Sequence, residues 1–195
     1  MKKLLLAICV TMVSTVSFAQ WSSGSFTVQP KVGLNIANIT DGEGASSRLG
    51  LVAGAEFEYQ LSSKFSLAAG LLYSQQGAKD KDSGVTGTLK LDYLNIPVVA
   101  NIYVAPGFAF KVGLQPGINL SSKISGSSGG ADVTVDLSDL GMEVESFDLA
   151  LPLGLSYEFS NFVIDGRYNL GLTKFLENSK NNVIQLTLGY KFSLF

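Results

Sequence analysis

Leu49 to Leu61 reads LGLVAGAEFEYQL. Its odd positions are Leu49, Leu51, Ala53, Ala55, Phe57, Tyr59 and Leu61, all apolar, while Gly54, Glu56, Glu58 and Gln60 occupy even ones. Successive side chains on a strand point to opposite faces, so this segment is a β-strand with one apolar and one polar face. It is also long enough for a tilted strand to cross a bilayer, which takes about 9–11 residues.

The two-residue period extends outward from this segment. Phe26, Val28, Pro30, Val32, Leu34 and Ile36 share one parity before it, and Phe65, Leu67, Ala69, Leu71 and Tyr73 share one after it. The fourth run changes phase. Leu89, Leu91 and Tyr93 have one parity, and Leu94, Ile96, Val98, Ala100 and Ile102 the other, which predicts a β-bulge near Tyr93–Leu94. Regular runs follow at Phe108 to Leu120, Phe147 to Phe159, Phe162 to Leu172 and Ile184 to Leu194. Eight such runs with no competing helical period predict an all-β fold, an eight-stranded antiparallel transmembrane β-barrel of the outer-membrane type.

The connections agree. Ser62-Ser63-Lys64, Val104-Ala105-Pro106-Gly107 and Ser160-Asn161 are short, whereas those following the odd-numbered runs are longer and polar. Short turns at one end and long loops at the other are the asymmetry of outer-membrane barrels. The third long loop, Ser121 to about Ser146, alternates again over Asp132 to Leu137 and Met142 to Val144, which predicts a hairpin standing above the membrane.

Residues 1–19 have the pattern of a cleaved signal peptide: Lys2 and Lys3, an apolar core from Leu4 to Val13, and Ser17-Phe18-Ala19 as the cleavage site. Residues 20–195 are then a single barrel domain. Loss of Lys2 and Lys3 lowers Lys plus Arg from 14 to 12 against 16 Asp plus Glu, a net charge of −4. An acidic chain without a basic cluster offers no case for nucleic acid. Cys9 leaves with the leader, so no disulfide is expected. The chain has no histidine. Zinc sites draw on His or Cys, and the usual general base near neutral pH is His. No catalytic residue, metal ligand or cofactor-binding residue is therefore assigned, and no enzyme is expected.

Alternation alone leaves open which face is outside. A soluble periplasmic lipocalin-like barrel would turn the apolar face inward around a small apolar ligand. Three features favour the outward reading. Aromatics gather near the short-turn ends, at Phe57, Tyr59, Phe65, Tyr103, Phe108, Phe110, Tyr157, Phe159, Phe162 and Phe192, with a thinner set at Tyr73, Tyr93 and Phe147. The apolar faces carry no charge, and a charge facing lipid costs about 2–4 kcal/mol at the midplane. The polar faces are rich in Gly, Ser, Asn and Gln, as a narrow lumen needs. The inward charges are then Lys31, Glu56, Glu58, Lys111, Asp148, Glu158, Asp165, Arg167 and Lys191, a near-balanced set expected to form a structural lumen network. An eight-stranded barrel holds only its own side chains, so no wide pore is expected.

YLNIPVVANIYV (93–104), FDLALPLGLSYEF (147–159), IDGRYNLGLTKF (164–175), VIQLTLGYKF (183–192) and PKVGLNIANI (30–39) resemble the PorT-like outer-membrane β-barrel family of Bacteroidetes-type bacteria. The resemblance spans the mature chain. It implies an eight-stranded barrel in the outer membrane, in contact with outer-membrane lipid, and no particular activity. The role expected from a filled barrel that displays four long loops is structural or interactive, through loop contacts with a surface or envelope protein, as an accessory to an envelope or secretion complex. One departure is Phe195, which is out of phase with the lipid-facing residues, whereas Phe192 is in phase.

Two acidic groupings offer other chemistry. Glu56 and Glu58 share a strand face about 7 Å apart, close enough for acid–base work, but Arg167, Lys111 and Lys31 are there to pair with them. Asp132, Asp136, Asp139, Glu143 and Glu145 make the third loop acidic without the spacing of an EF-hand, and are taken as solvated. Gly113, Gly117, Gly154, Gly166 and Gly189 relieve packing rather than hold phosphate, since no helix follows them.

Overall fold

In the computed structural model, residues 21–40, 46–82, 85–128, 131–142, 145–174 and 179–194 are described. The expected leader, residues 1–19, together with Phe195 and part of the last long loop, lies outside them. The strands are β1 (Phe26–Ile39), β2 (Ser46–Ser62), β3 (Phe65–Asp82), β4 (Val85–Asn95), β5 (Val98–Ala105), β6 (Phe108–Ser128), β7 (Ala131–Asp136), β8 (Phe147–Phe159), β9 (Phe162–Gly171), β10 (Asn181–Tyr190) and β11 (Phe192–Ser193). β4 and β5 form one stave interrupted at Ile96–Pro97, and β10 and β11 form another interrupted at Lys191. All neighbours pair antiparallel, and β1 pairs with β2 on one side and with β10 and β11 on the other. The sheet therefore closes as a ring of eight staves, which leaves no open edge in the wall.

Three two-residue turns join staves at one end. Gly107 and Ser160 take left-handed backbone there, with φ of 71° and 53°, the sense of twist that tight hairpins require. At the other end the wall is uneven. β3, β4 and β6 run on together well past the length that spans a bilayer, and β7 pairs with β6 alone, from Lys123–Asp136 to Ser128–Ala131. This is the hairpin that the alternation over Asp132 to Leu137 foretold.

Alternation maps onto the ring as apolar out, polar in. Leu186 and Leu51 are about half exposed, at 53% and 55%, whereas Lys31 and Glu56 are buried at 4% and 2%. That disposition excludes the inward-apolar lipocalin arrangement. At the short-turn end the outward rings of Tyr157, Phe159, Phe162, Tyr190 and Phe192 follow one another at centroid distances of 4.7–6.3 Å. They form an interfacial belt across β8 to β11.

Two aromatics do not join the girdle. The Tyr103 hydroxyl turns inward to Glu58, and Tyr93 is fully buried. The cause is that β4 keeps its parity. The register does shift at Asp92/Tyr93, but there the partner strand passes from Ser121 to Asn119, so the extra residue, Leu120, belongs to β6. Leu91 and Tyr93 therefore point into the barrel, where Ile39 and Leu89 pack against them.

Candidate functional site

The lumen is built in layers. Nearest the short turns, Lys191 on the β10–β11 stave lies between two carboxylates, Glu58 on β2 at 3.0 Å and Glu158 on β8 at 2.7 Å. Ser66 and Tyr103 donate their hydroxyls to Glu58 Oε1 at 2.6 and 2.7 Å. Trp21 donates its indole N–H to Glu158 Oε1 at 2.5 Å, which ties the segment preceding β1 across the short-turn end. Gly24 N–H to the Gln60 carbonyl and Ser23 Oγ to the Leu61 carbonyl hold the same segment.

The middle layer gathers five of the nine expected charges. Lys31 reaches Glu56 at 2.8 Å and Asp165 at 3.3 Å, and Lys111 reaches Asp165 at 2.6 Å. Arg167 donates from Nη2 to Glu56 Oε2 at 2.8 Å and to Asp165 Oδ2 at 2.7 Å, and from Nε to Asp165 Oδ1 at 2.9 Å. Its Nη1 also lies 2.6 Å from Glu56 Oε1, a further ion-pair contact. The chain makes room for these long side chains on the neighbouring strands. Lys31 is flanked by Gly54 and Gly189, Glu56 faces Gly70, and Lys111 and Arg167 both face Gly154. A Cβ on Gly154 would stand 2.9 Å from Arg167 Cγ, so a larger residue there would push the guanidinium off its partners.

Above the charges lies an amide layer. Asn35 donates to Ser74 Oγ and to the Gln75 carbonyl, at 2.8 and 3.0 Å. Asn181 on β10 donates to Gln76 Oε1 on β3, across the ring. Among the described residues, one buried amide atom each of Asn95, Gln115, Asn169 and Gln185 has no hydrogen-bond partner. Asp148 sits above this belt, accepting from Thr173 Oγ1 at 2.7 Å, and among the described residues it makes no ion pair. The nine charges thus divide into a group of five, a group of three, and Asp148 apart.

Glu56 and Glu58, weighed above as a catalytic pair, fall into different groups, each saturated by cations and hydroxyls. Sequence reasoning missed Arg48, which is buried and donates to the Gln76 carbonyl. Its even parity with Glu56 and Glu58 was the available signal, one residue before the apolar run begins. Trp21 had no signal, because it precedes the first strand. In the third loop, Asp136 lies 3.8 Å from Lys123 with both side chains about half exposed, and no group of three or more His, Cys, Asp or Glu residues gathers among the described residues.

A family model described as an outer membrane protein β-barrel domain matches residues 18–177. No curated protein matches the chain. Among solved structures, the attachment invasion locus protein Ail of Yersinia pestis, in complex with the heparin analogue sucrose octasulfate, is similar at 18% identity and a TM-score of 0.51, over 87% of this chain and 99% of Ail. Neisserial surface protein A is similar at 17% identity and a TM-score of 0.51, over 86% of this chain and 97% of that one. At such identities the likeness speaks to fold alone.

Proposed function

This chain belongs to the outer membrane protein β-barrel domain family and resides in the outer membrane, and from that premise we propose that it is a non-enzymatic barrel, plugged by its own side chains, that engages a surface or envelope protein through its extracellular strands and loops. The observation that carries this reading is the sheet beyond the membrane. β3, β4, β6 and β7 stand above the rest of the wall, and among the described residues β7 has a neighbour on one side only. The backbone groups along its other side form a template for an extended segment of a partner. Val133 on β7 is 63% exposed, so an apolar side chain marks that edge.

Charge narrows the partner. Ail was crystallised with a polysulfated sugar, but here the third loop carries five acidic residues from Asp132 to Glu145 and is offset by Lys123. Such a loop repels a polyanion, which favours a protein partner with a basic or neutral strand. The ionic layers of the lumen, in which each carboxylate is already bound by cations, support the plugged and non-enzymatic parts. The Tyr-x-x-Ile-Pro and Arg-Tyr-Asn-x-Gly-Leu segments support a PorT-like affiliation and, with it, a place beside an envelope complex. The cleaved leader, residues 1–19, belongs to the same reading.

A photo-crosslinking residue placed at Val133 in intact cells is the test. A discrete protein adduct is expected at Val133 and not at the lipid-facing Leu186. Equal labelling at both positions, or no adduct at Val133, overturns the loop-contact role.

A further inference from the structure

On the outer wall the lining changes character at one level across three adjacent strands. Ile36 on β1, Ile184 on β10 and Leu49 on β2 are outward and exposed, and Ile36 stands opposite both of the others. The next outward residues towards the long loops are Asn38, Asn182 and Ser47, and Asn38 stands directly opposite Asn182. An apolar band that ends level on neighbouring strands marks the boundary of the hydrocarbon. A pocket of about 290 Å³ straddles it. Ile36, Ile184 and Tyr168 line the membrane side of this pocket, and Asn38, Asn182, Ser47 and Thr40 the loop side.

The two amides offer donors to it. Asn38 Oδ1 already accepts the Ile39 N–H at 2.8 Å, and Asn182 Oδ1 accepts the Gly171 N–H at 3.1 Å. Each side chain keeps its NH2 group, with two donors, and among the described residues neither group is engaged. Side chains directly opposite on paired strands have Cβ atoms about 4.5–5.5 Å apart, so both NH2 groups reach a single acceptor. The Thr40 hydroxyl is spent above them, accepting the Lys180 N–H at 3.0 Å. No charged side chain lines the pocket among the described residues. The ligand that suits such a lining is a neutral acceptor at the head of an apolar chain. We propose that the pocket binds one acyl chain of an outer-leaflet lipid, with Asn38 and Asn182 donating to the carbonyl of its ester linkage and Ile36, Ile184 and Tyr168 packing on its first methylenes. Lipid is the occupant because the wall beneath the pocket faces the bilayer: Leu34 and Leu186 are outward and about half exposed. The site lies four staves round the ring from β6 and does not depend on the loop-contact role.

Fluorescence quenching by brominated lipid is the test. Trp21, the chain's only tryptophan, is replaced by Phe, and a reporter is introduced as Leu186→Trp. That position is four residues along β10 from Asn182, roughly 13 Å, the depth of a bromine at mid-chain. A control carries Ile118→Trp on the opposite wall. Each chain is reconstituted in vesicles of phosphatidylcholine with brominated acyl chains. The quencher is then diluted with unbrominated phosphatidylcholine whose chains are linked either by esters or by ethers. The ether lipid has the same headgroup and no carbonyl. At Leu186→Trp the ester lipid is expected to displace the quencher about fivefold more effectively than the ether lipid, the order of one net hydrogen bond. At Ile118→Trp the two are expected to act alike. Asn38→Asp and Asn182→Asp keep the acceptor for the backbone N–H and lose the donors, so the preference is expected to vanish in each. Equal displacement at Leu186→Trp, the same preference at Ile118→Trp, or a preference that survives both aspartate substitutions overturns the site. So does a Leu186→Trp reporter that brominated lipid leaves unquenched, the sign of a second copy of this chain over the pocket. The ester–ether comparison uses the native asparagines, so it decides the matter even if neither aspartate variant folds.

Discussion

The short-turn half of the lumen and its long-loop half are lined by the same ring of strands and filled by different chemistry. In the short-turn half every carboxylate is gripped by a lysine or the arginine, and a glycine commonly stands on the strand beside the charged residue. In the long-loop half the lining is amide, then apolar at Leu91 and Tyr93, with several buried polar atoms unpartnered. An unpaired buried charge costs several kcal/mol, so charges force mutual placement. Amides can be satisfied by water at far lower cost, so they tolerate looser geometry. On the reading proposed above, the ionic half acts as the plug at the short-turn end, and the amide half, held by fewer mutual contacts, lies under the long loops.

The sharpest way to break this contrast is Arg167→Met. It strips Glu56 and Asp165 of their shared guanidinium and is expected to destabilise the barrel by about 3–5 kcal/mol. Equilibrium denaturant unfolding in micelles reads the change, and a loss under 1 kcal/mol would mean that the cluster is no plug. Gly154→Ala comes next. The added methyl must displace Arg167 or the backbone of Gly166, and overpacking of this kind costs about 1–3 kcal/mol. In an Arg167→Met background the alanine should cost less than in the native chain but not nothing, because the guanidinium no longer has to hold its place while the Gly166 carbonyl still stands 2.7 Å from the added Cβ; if the two losses simply add, the glycine serves something other than the guanidinium. The smallest effect belongs to the amide half. Gln185 accepts a long bond from Asn169, 3.4 Å, and its Nε2 has no partner. Gln185→Met is therefore expected to shift stability by less than about 1 kcal/mol, and a loss comparable to that of Arg167→Met would erase the distinction between the halves.

How much of this was legible depended on which coordinate a residue's role required. Parity along one strand assigns a face, and it placed Lys31, Glu56, Glu58, Lys111, Asp148, Glu158, Asp165, Arg167 and Lys191 on the inward one, where the structure has them buried. Parity says nothing of height relative to other strands. Glu56 and Glu58 are two residues apart yet serve different ionic layers, and Asp148 stands above both. Face assignment by hydrophobicity also failed where the lumen itself is apolar. Hydrophobicity alone assigns Leu91 and Tyr93 to the lipid face, which requires a bulge in their own strand. The irregularity instead sits opposite, at Leu120 in β6.

By itself, then, the sequence determined the strands, their two faces and the membrane as solvent on one of them. A period of two is a local property, and lipid punishes a charge on the outward face of each strand separately. Only the closed ring decided which charge meets which, that Asp148 makes no ion pair among the described residues, and that β7 pairs, among them, with β6 alone. Those outcomes depend on the register between strands far apart in the chain, fixed jointly when β1 meets β10.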